Sequence, residues 1–282
     1  MMAAAVPLLL ISACAQTSAV GAPGPSVAAP EADADQLVVR VESVGGFVPA
    51  EQNLGRLPSV SVYADGRVIT QGPVPMIYPG PALPNLQVQV ITPELVRELA
   101  RQGAEAGVGK ATDYGRPNVA DAPSTKVTVV TGTTEQTVSV EALSEAQATD
   151  PNLTAAQRDA RTKLSKYVNK VQELTAATGM PPSTAYDPAA VAVLARPWVE
   201  PGADPKSPAK AWPGPALPGT LISDNLGIGC VTVTGAEKDT VLAAAGKATA
   251  VTPWTMAGKK YGITFRPLLP DEKDCAVLKG EK

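Results

Sequence analysis

The 282-residue sequence has no histidine, and only 4% of it is aromatic. Without imidazole the chain cannot build a Ser-His-Asp or Cys-His catalytic centre, nor a zinc site that needs a histidine ligand. Strong charge of either sign is also lacking, since 24 Lys+Arg stand against 27 Asp+Glu for a net charge of -3. That balance leaves no basic footprint for nucleic acid, and so few aromatics give little on which to stack bases. There are only three cysteines, and no apolar run is long enough to span a membrane. Proline and glycine are plentiful, at 28 and 24 residues, yet below the level that marks a wholly unstructured chain.

What is present begins with an address. Met1 to Ile11 is short and apolar, and Ile11-Ser12-Ala13-Cys14 is an aliphatic residue, two small ones and a cysteine. This resembles the lipobox of a bacterial lipoprotein, although no Lys or Arg precedes it. The resemblance implies a signal peptide over residues 1–13, cleavage before Cys14 and acylation (palmitate) of its thiol, so that the acyl chains hold the protein in the cell membrane at its extracytoplasmic face. Residues 14–36 are then the lipidated cysteine and a flexible linker of Ala, Pro and Gly, a composition that cannot bury a core. The other two cysteines, Cys230 and Cys275, are expected either to pair as a disulfide in an oxidising compartment or to stay as separate buried thiols.

From Leu37 the pattern is that of an α+β protein. Leu37, Val39 and Val41 alternate, and β-formers flank the turn Asp65-Gly66, a strong hairpin signal. Thr92-Pro93-Glu94 opens a helix that ends between Gly103 and Gly109. A second hairpin runs through Val127 and Val140, and Thr154 with Gln157 forms a capping box before the stripe Leu164, Tyr167, Val168, Val171 and Leu174. This order, with Tyr63-Ala64-Asp65-Gly66 and the approach from Asp121 to Thr128, is similar to a small secreted bacterial domain of unknown function, which implies a fold but no catalytic residues.

The second half reads strand (Val191, Val193), a Pro-rich crossing, strand (Val231, Val233), a helix capped by Thr234 and Glu237, and strand (Tyr261, Ile263, Phe265). The expected organisation is therefore two small units, residues 37–180 and 186–282, each of antiparallel strands covered by one or two helices, after a disordered N-terminal tether. The linker between them is placed at Gly179 to Asp187. The string Pro-Gly-Pro-Ala-Leu-Pro occurs twice, after Tyr78 and after Trp212, and is expected to form loops that cross a sheet edge.

The chemistry is sparse. Ser207-Pro208-Ala209-Lys210 with Ser223-Asp224-Asn225 resembles the boxes of serine β-lactamases, but prolines surround Ser207 where that family has a helix. Asp113 and Asp121 share a loop near Glu94 and Glu98, a set that could hydrolyse a glycoside or hold calcium, or simply cap turns. Neither set is a complete catalytic constellation, and no metal set or cofactor motif is assigned. Trp198, Trp212 and Trp254, with Tyr78, sit beside prolines and are the candidate ligand surface, with core filling as the other use for the tryptophans. Taken whole, the chain resembles the uncharacterised cell-envelope lipoproteins of high-GC Gram-positive bacteria. The expected function is non-catalytic binding or scaffolding at the cell envelope, with wall glycan or envelope proteins as partners. The alternative is a cell-wall-directed hydrolase using carboxylates or a Ser-Lys pair.

Overall fold

Runs of valine at alternate positions make the first sheet. The computed structural model describes residues 33–200 and 207–279, and the expected signal peptide, Cys14 and most of the tether lie outside them. The first sheet contains β1 (Leu37–Gly45), β2 (Val60–Tyr63), β3 (Arg67–Gln71), β4 (Leu86–Val90), β5 (Pro123–Thr131), β6 (Thr134–Glu141) and β7 (Thr184–Ala185), in the order β6-β5-β1-β2-β3-β4-β7. A short helix, α1 (Ala50–Gly55), follows β1. Val39, Val41, Val60, Val62, Val127 and Val129 line one face, against which α2 (Pro93–Ala106) and α3 (Ala155–Gln172) bury Val96, Leu99, Leu164, Tyr167 and Val171. The α2 cap is the expected one, the Thr92 hydroxyl accepting from the Leu95 N–H, and both halves of the Thr154–Gln157 box are formed.

One expectation changes at the first strand. The β1–β2 register shifts between Leu37 and Val39, so a bulge interrupts the alternation. Leu37 therefore leaves the face of Val39 and Val41 and packs on the opposite one, with Leu57, Tyr63, Ile69 and Leu86.

The second sheet contains β8 (Ala190–Pro197), β9 (Lys210–Ala211), β10 (Thr220–Ser223), β11 (Ile228–Thr234), β12 (Trp254–Met256) and β13 (Lys259–Pro267), ordered β10-β11-β8-β13-β12-β9. All of its pairs are antiparallel except β12 with β9. One face packs on α4 (Gly235–Ala245) through Val191, Val193, Val233, Val241 and Phe265. The other carries Ala192, Leu194, Ile228 and Leu268, and is covered in part by Leu54 of α1. The expected Thr234–Glu237 box does not form: Thr234 makes no side-chain cap bond. It still belongs to β11, paired with Ala190, and Gly235 at φ +59 turns the chain at the first residue of α4.

The fold is thus α+β, and the described residues belong to one compact unit. The segment from Gly179 to Asp187 is not a bare connector, because β7 within it adds an edge strand to β4, and Tyr186 donates its N–H to Leu86 O and its hydroxyl to Leu268 O. Both Pro-Gly-Pro-Ala-Leu-Pro loops serve the second core: Ala82 and Leu83 from the first copy and Leu217 from the second pack on it.

Candidate functional site

The tryptophans have two expected uses, a ligand surface shared with Tyr78 or core filling, and the structure divides them between the two. Trp254 is 1% and Trp212 7% exposed. They meet edge-to-face at 5.6 Å and both contact Phe265, so they fill the core under α4. The Trp212 indole N–H is satisfied by Pro215 O at 2.7 Å. Tyr78 is exposed on the loop between β3 and β4.

Trp198 behaves differently. It is half-buried just past the end of β8 and lines a cavity of about 360 Å³ with Glu51, Arg196, Val199, Glu200 and Val251. Its main-chain N–H donates to Lys260 O at 3.1 Å, which fixes the residue beside β13. Its Nε1 is buried and finds no hydrogen-bond partner among the described residues. An N–H in that state costs on the order of 1–3 kcal/mol until it meets an acceptor. Across the wall, Arg196 Nε pairs with Glu51 Oε2 at 3.1 Å, and Lys260 Nζ with Glu200 Oε1 at 3.2 Å. An aromatic side chain beside charges of both signs can take a ligand with an apolar face and hydroxyl edges.

A second concavity, about 730 Å³, runs between α2 and the β5–β6 hairpin over Val38, Val96, Ala100, Ala104 and Val130. Its arginines are engaged on their own helix, Arg97 with Glu94 and Arg101 with Glu98 and Glu105. Hydrogen bonds from Arg101 and Gln102 hold the Glu98 carboxyl down to about 2.

The remaining sequence candidates are dispersed. Lys210 opens β9 and Ser223 ends β10, and these are the two outer strands of the six-stranded sheet. At roughly 4.8 Å per strand, five spacings put them about 24 Å apart. Ser207 Oγ instead shares a hydrogen bond with Thr249 Oγ1 at 3.1 Å. Asp113 accepts from Gly115 N and Gln157 Nε2, which ties it to the start of α3, and these bonds lower its pKa. The Asp121 carbonyl accepts from Phe47 N at 3.0 Å. Among the described residues no three His, Cys, Asp or Glu side chains gather as a metal set.

Cys230 on β11 and Cys275 are joined by a disulfide, with Cα atoms 6.1 Å apart, and it pins the C-terminal turn Cys275–Leu278 to the second sheet. A further polar group lies between the sheets and was not foreseen. The Tyr63 hydroxyl accepts from Arg40 Nη2 at 3.2 Å and donates to Asp271 Oδ1 at 2.8 Å, and next to Asp271 in the chain Glu272 grips the buried Arg266 with two bonds of 2.5 and 2.8 Å. The one local sign of it was a single arginine set among the alternating apolar residues of each strand, Arg40 in β1 and Arg266 in β13.

No family model, curated protein or solved structure matches the chain.

Proposed function

We propose that this is a lipid-anchored, extracytoplasmic binding protein of the cell envelope, non-catalytic, which takes wall glycan in the cavity at Trp198. The observation that carries the binding reading is the half-buried Trp198 indole, whose N–H has no hydrogen-bond partner among the described residues, beside the Arg196–Glu51 pair. Sugar rings offer an apolar face for the indole and hydroxyls for the charged rim. The location rests on Ile11-Ser12-Ala13-Cys14, and the Cys230–Cys275 disulfide fits an oxidising compartment.

The test is a titration of the full chain carrying Cys14→Ser with soluble wall glycan fragments, followed by tryptophan fluorescence. The expected result is a saturable change that Trp198→Ala weakens by roughly tenfold or more, while Trp198→Phe, which keeps a ring but no N–H, weakens it less. No saturable change, or equal binding by Trp198→Ala, would overturn the glycan site. Release of reducing ends from the wall would overturn the non-catalytic assignment. Separately, Cys14→Ser should move the protein out of the membrane fraction of cells, and retention there would sink the lipid anchor.

A further inference from the structure

Between Arg67 and Glu94 the sequence carries no charged residue. The middle of that stretch is the loop joining β3 to β4, and it is clamped at its base. Gly72 N donates to Asn85 O at 2.7 Å and Asn85 Nδ2 to Pro73 O at 2.8 Å. Its descending limb is held against the turn after α4, with Ala82 N donating to Ala248 O at 3.2 Å and Ala250 N to Gly80 O at 2.9 Å. Between these clamps Val74, Met76, Ile77 and Tyr78 stand 64%, 104%, 63% and 64% exposed. A soluble surface ordinarily scatters such residues singly. Here four lie within five positions.

We propose that residues 73–79 form a membrane-inserting finger whose partner is the interface of a lipid bilayer. Entering an apolar medium penalises every unpaired backbone donor, and this loop has few to hide. Pro73, Pro75 and Pro79 have no N–H, and the Ile77 N–H is bonded to Pro75 O at 2.9 Å. Charge is costly at that depth, and none is present from residue 68 to residue 93. A protein-docking loop would be expected to carry an arginine among its aromatics, and this one has none. Tyr78 combines a ring with a hydroxyl and suits the headgroup boundary. The clamps hold the finger extended beforehand, so little ordering is left for the moment of contact. The proposal stands without acylation of Cys14; an acyl chain there would add a second attachment and raise the avidity of both.

The experiment uses the full chain with Cys14→Ser, co-sedimented with phosphatidylcholine vesicles and with vesicles containing phosphatidylglycerol. The unsubstituted loop is expected to bind both, with little loss in high salt. In the same background, Met76→Ser/Ile77→Ser should lower the partition coefficient by roughly tenfold or more, since each side chain contributes apolar burial. Comparison within one background separates the loop from residues 1–13. Val74→Glu, which leaves the clamps intact, should lower it likewise, and an unchanged melting temperature in either variant shows that the fold persists. Equal partition of the variants, no binding by the parent, or binding confined to anionic vesicles and abolished by salt would each overturn the finger.

Discussion

Arg40 and Asp271 lie 231 positions apart in the chain and meet at 2.8 Å between the two sheets. The Arg40 side chain is 12% exposed, and burial works against its charge, but Asp271 and the Tyr63 hydroxyl more than compensate and hold its pKa above the ordinary value. Removing the carboxylate would leave a largely buried guanidinium without its counter-ion. Asp271→Ala is therefore expected to destabilise the protein by about 2–3 kcal/mol, less than for a fully buried pair because Asp271 keeps 25% exposure. Tyr63→Phe, which removes only a hydroxyl, should cost about 1 kcal/mol. Urea unfolding of the two variants measures both, and an Asp271→Ala midpoint equal to that of the parent would refute the role of this pair.

Gly103 sits inside α2 where the helix crosses α3. A Cβ there would meet Val129 Cγ2 at 2.6 Å and the Tyr167 hydroxyl at 2.8 Å, and that hydroxyl is already bonded to Leu99 O at 3.0 Å. Alanine normally strengthens a helix by about 1 kcal/mol over glycine. At this site overpacking wins, and Gly103→Ala should lower stability by about 1–2 kcal/mol net. A rise in Tm would show that the helices can part without penalty.

The disulfide spans 45 positions. Closing a loop of that size in the unfolded chain is worth about 4 kcal/mol in the loop-entropy account. Cys230→Ser/Cys275→Ser should lose most of that, and the unsubstituted protein should show the same loss in reductant. If reduction leaves the urea midpoint where it was, the bridge adds nothing to stability.

Burial lifts the phenols of Tyr63, Tyr114, Tyr167 and Tyr186 above the ordinary tyrosine value. A raised pKa in the folded state means stability that is whole below the unfolded phenol pKa, about 10, and is lost as pH climbs past it. Phenolate absorbance should therefore show these four of the six tyrosines silent until an alkaline transition, where they ionise together with loss of the circular dichroism signal. Smooth ionisation of all six while the protein stays folded would contradict the burial.

Features set by neighbours in the chain were legible before the fold was seen. The Asp65-Gly66 hairpin, the Thr92 cap and the Thr154–Gln157 box each depend on residues within four positions of one another, and all three stand as read. The bulge at Leu37 was hidden because alternation reads the same whether or not one residue is skipped. β7 was hidden because two residues make no periodic signal and its pairing depends on where β4 lies. Of the candidate site, Trp198 carried no sign that set it apart from Trp212 and Trp254, because proline neighbours are common to all three. Only the packing under α4 distinguishes them. The Arg40–Tyr63–Asp271 group required the segment after β13 to be placed against β1 and β2, which no local pattern encodes.

Pro81 bridges to Thr249, and 249 − 81 is 168 positions of chain. During synthesis, then, Ala82 and Leu83 emerge long before the strands and helix whose core they complete. The early half must hold that apolar segment uncovered until the late half arrives, and the late half has no finished interior without it. Birth order and assembly order thus diverge for the second core, which closes only when an early-made segment meets strands and a helix made long after it.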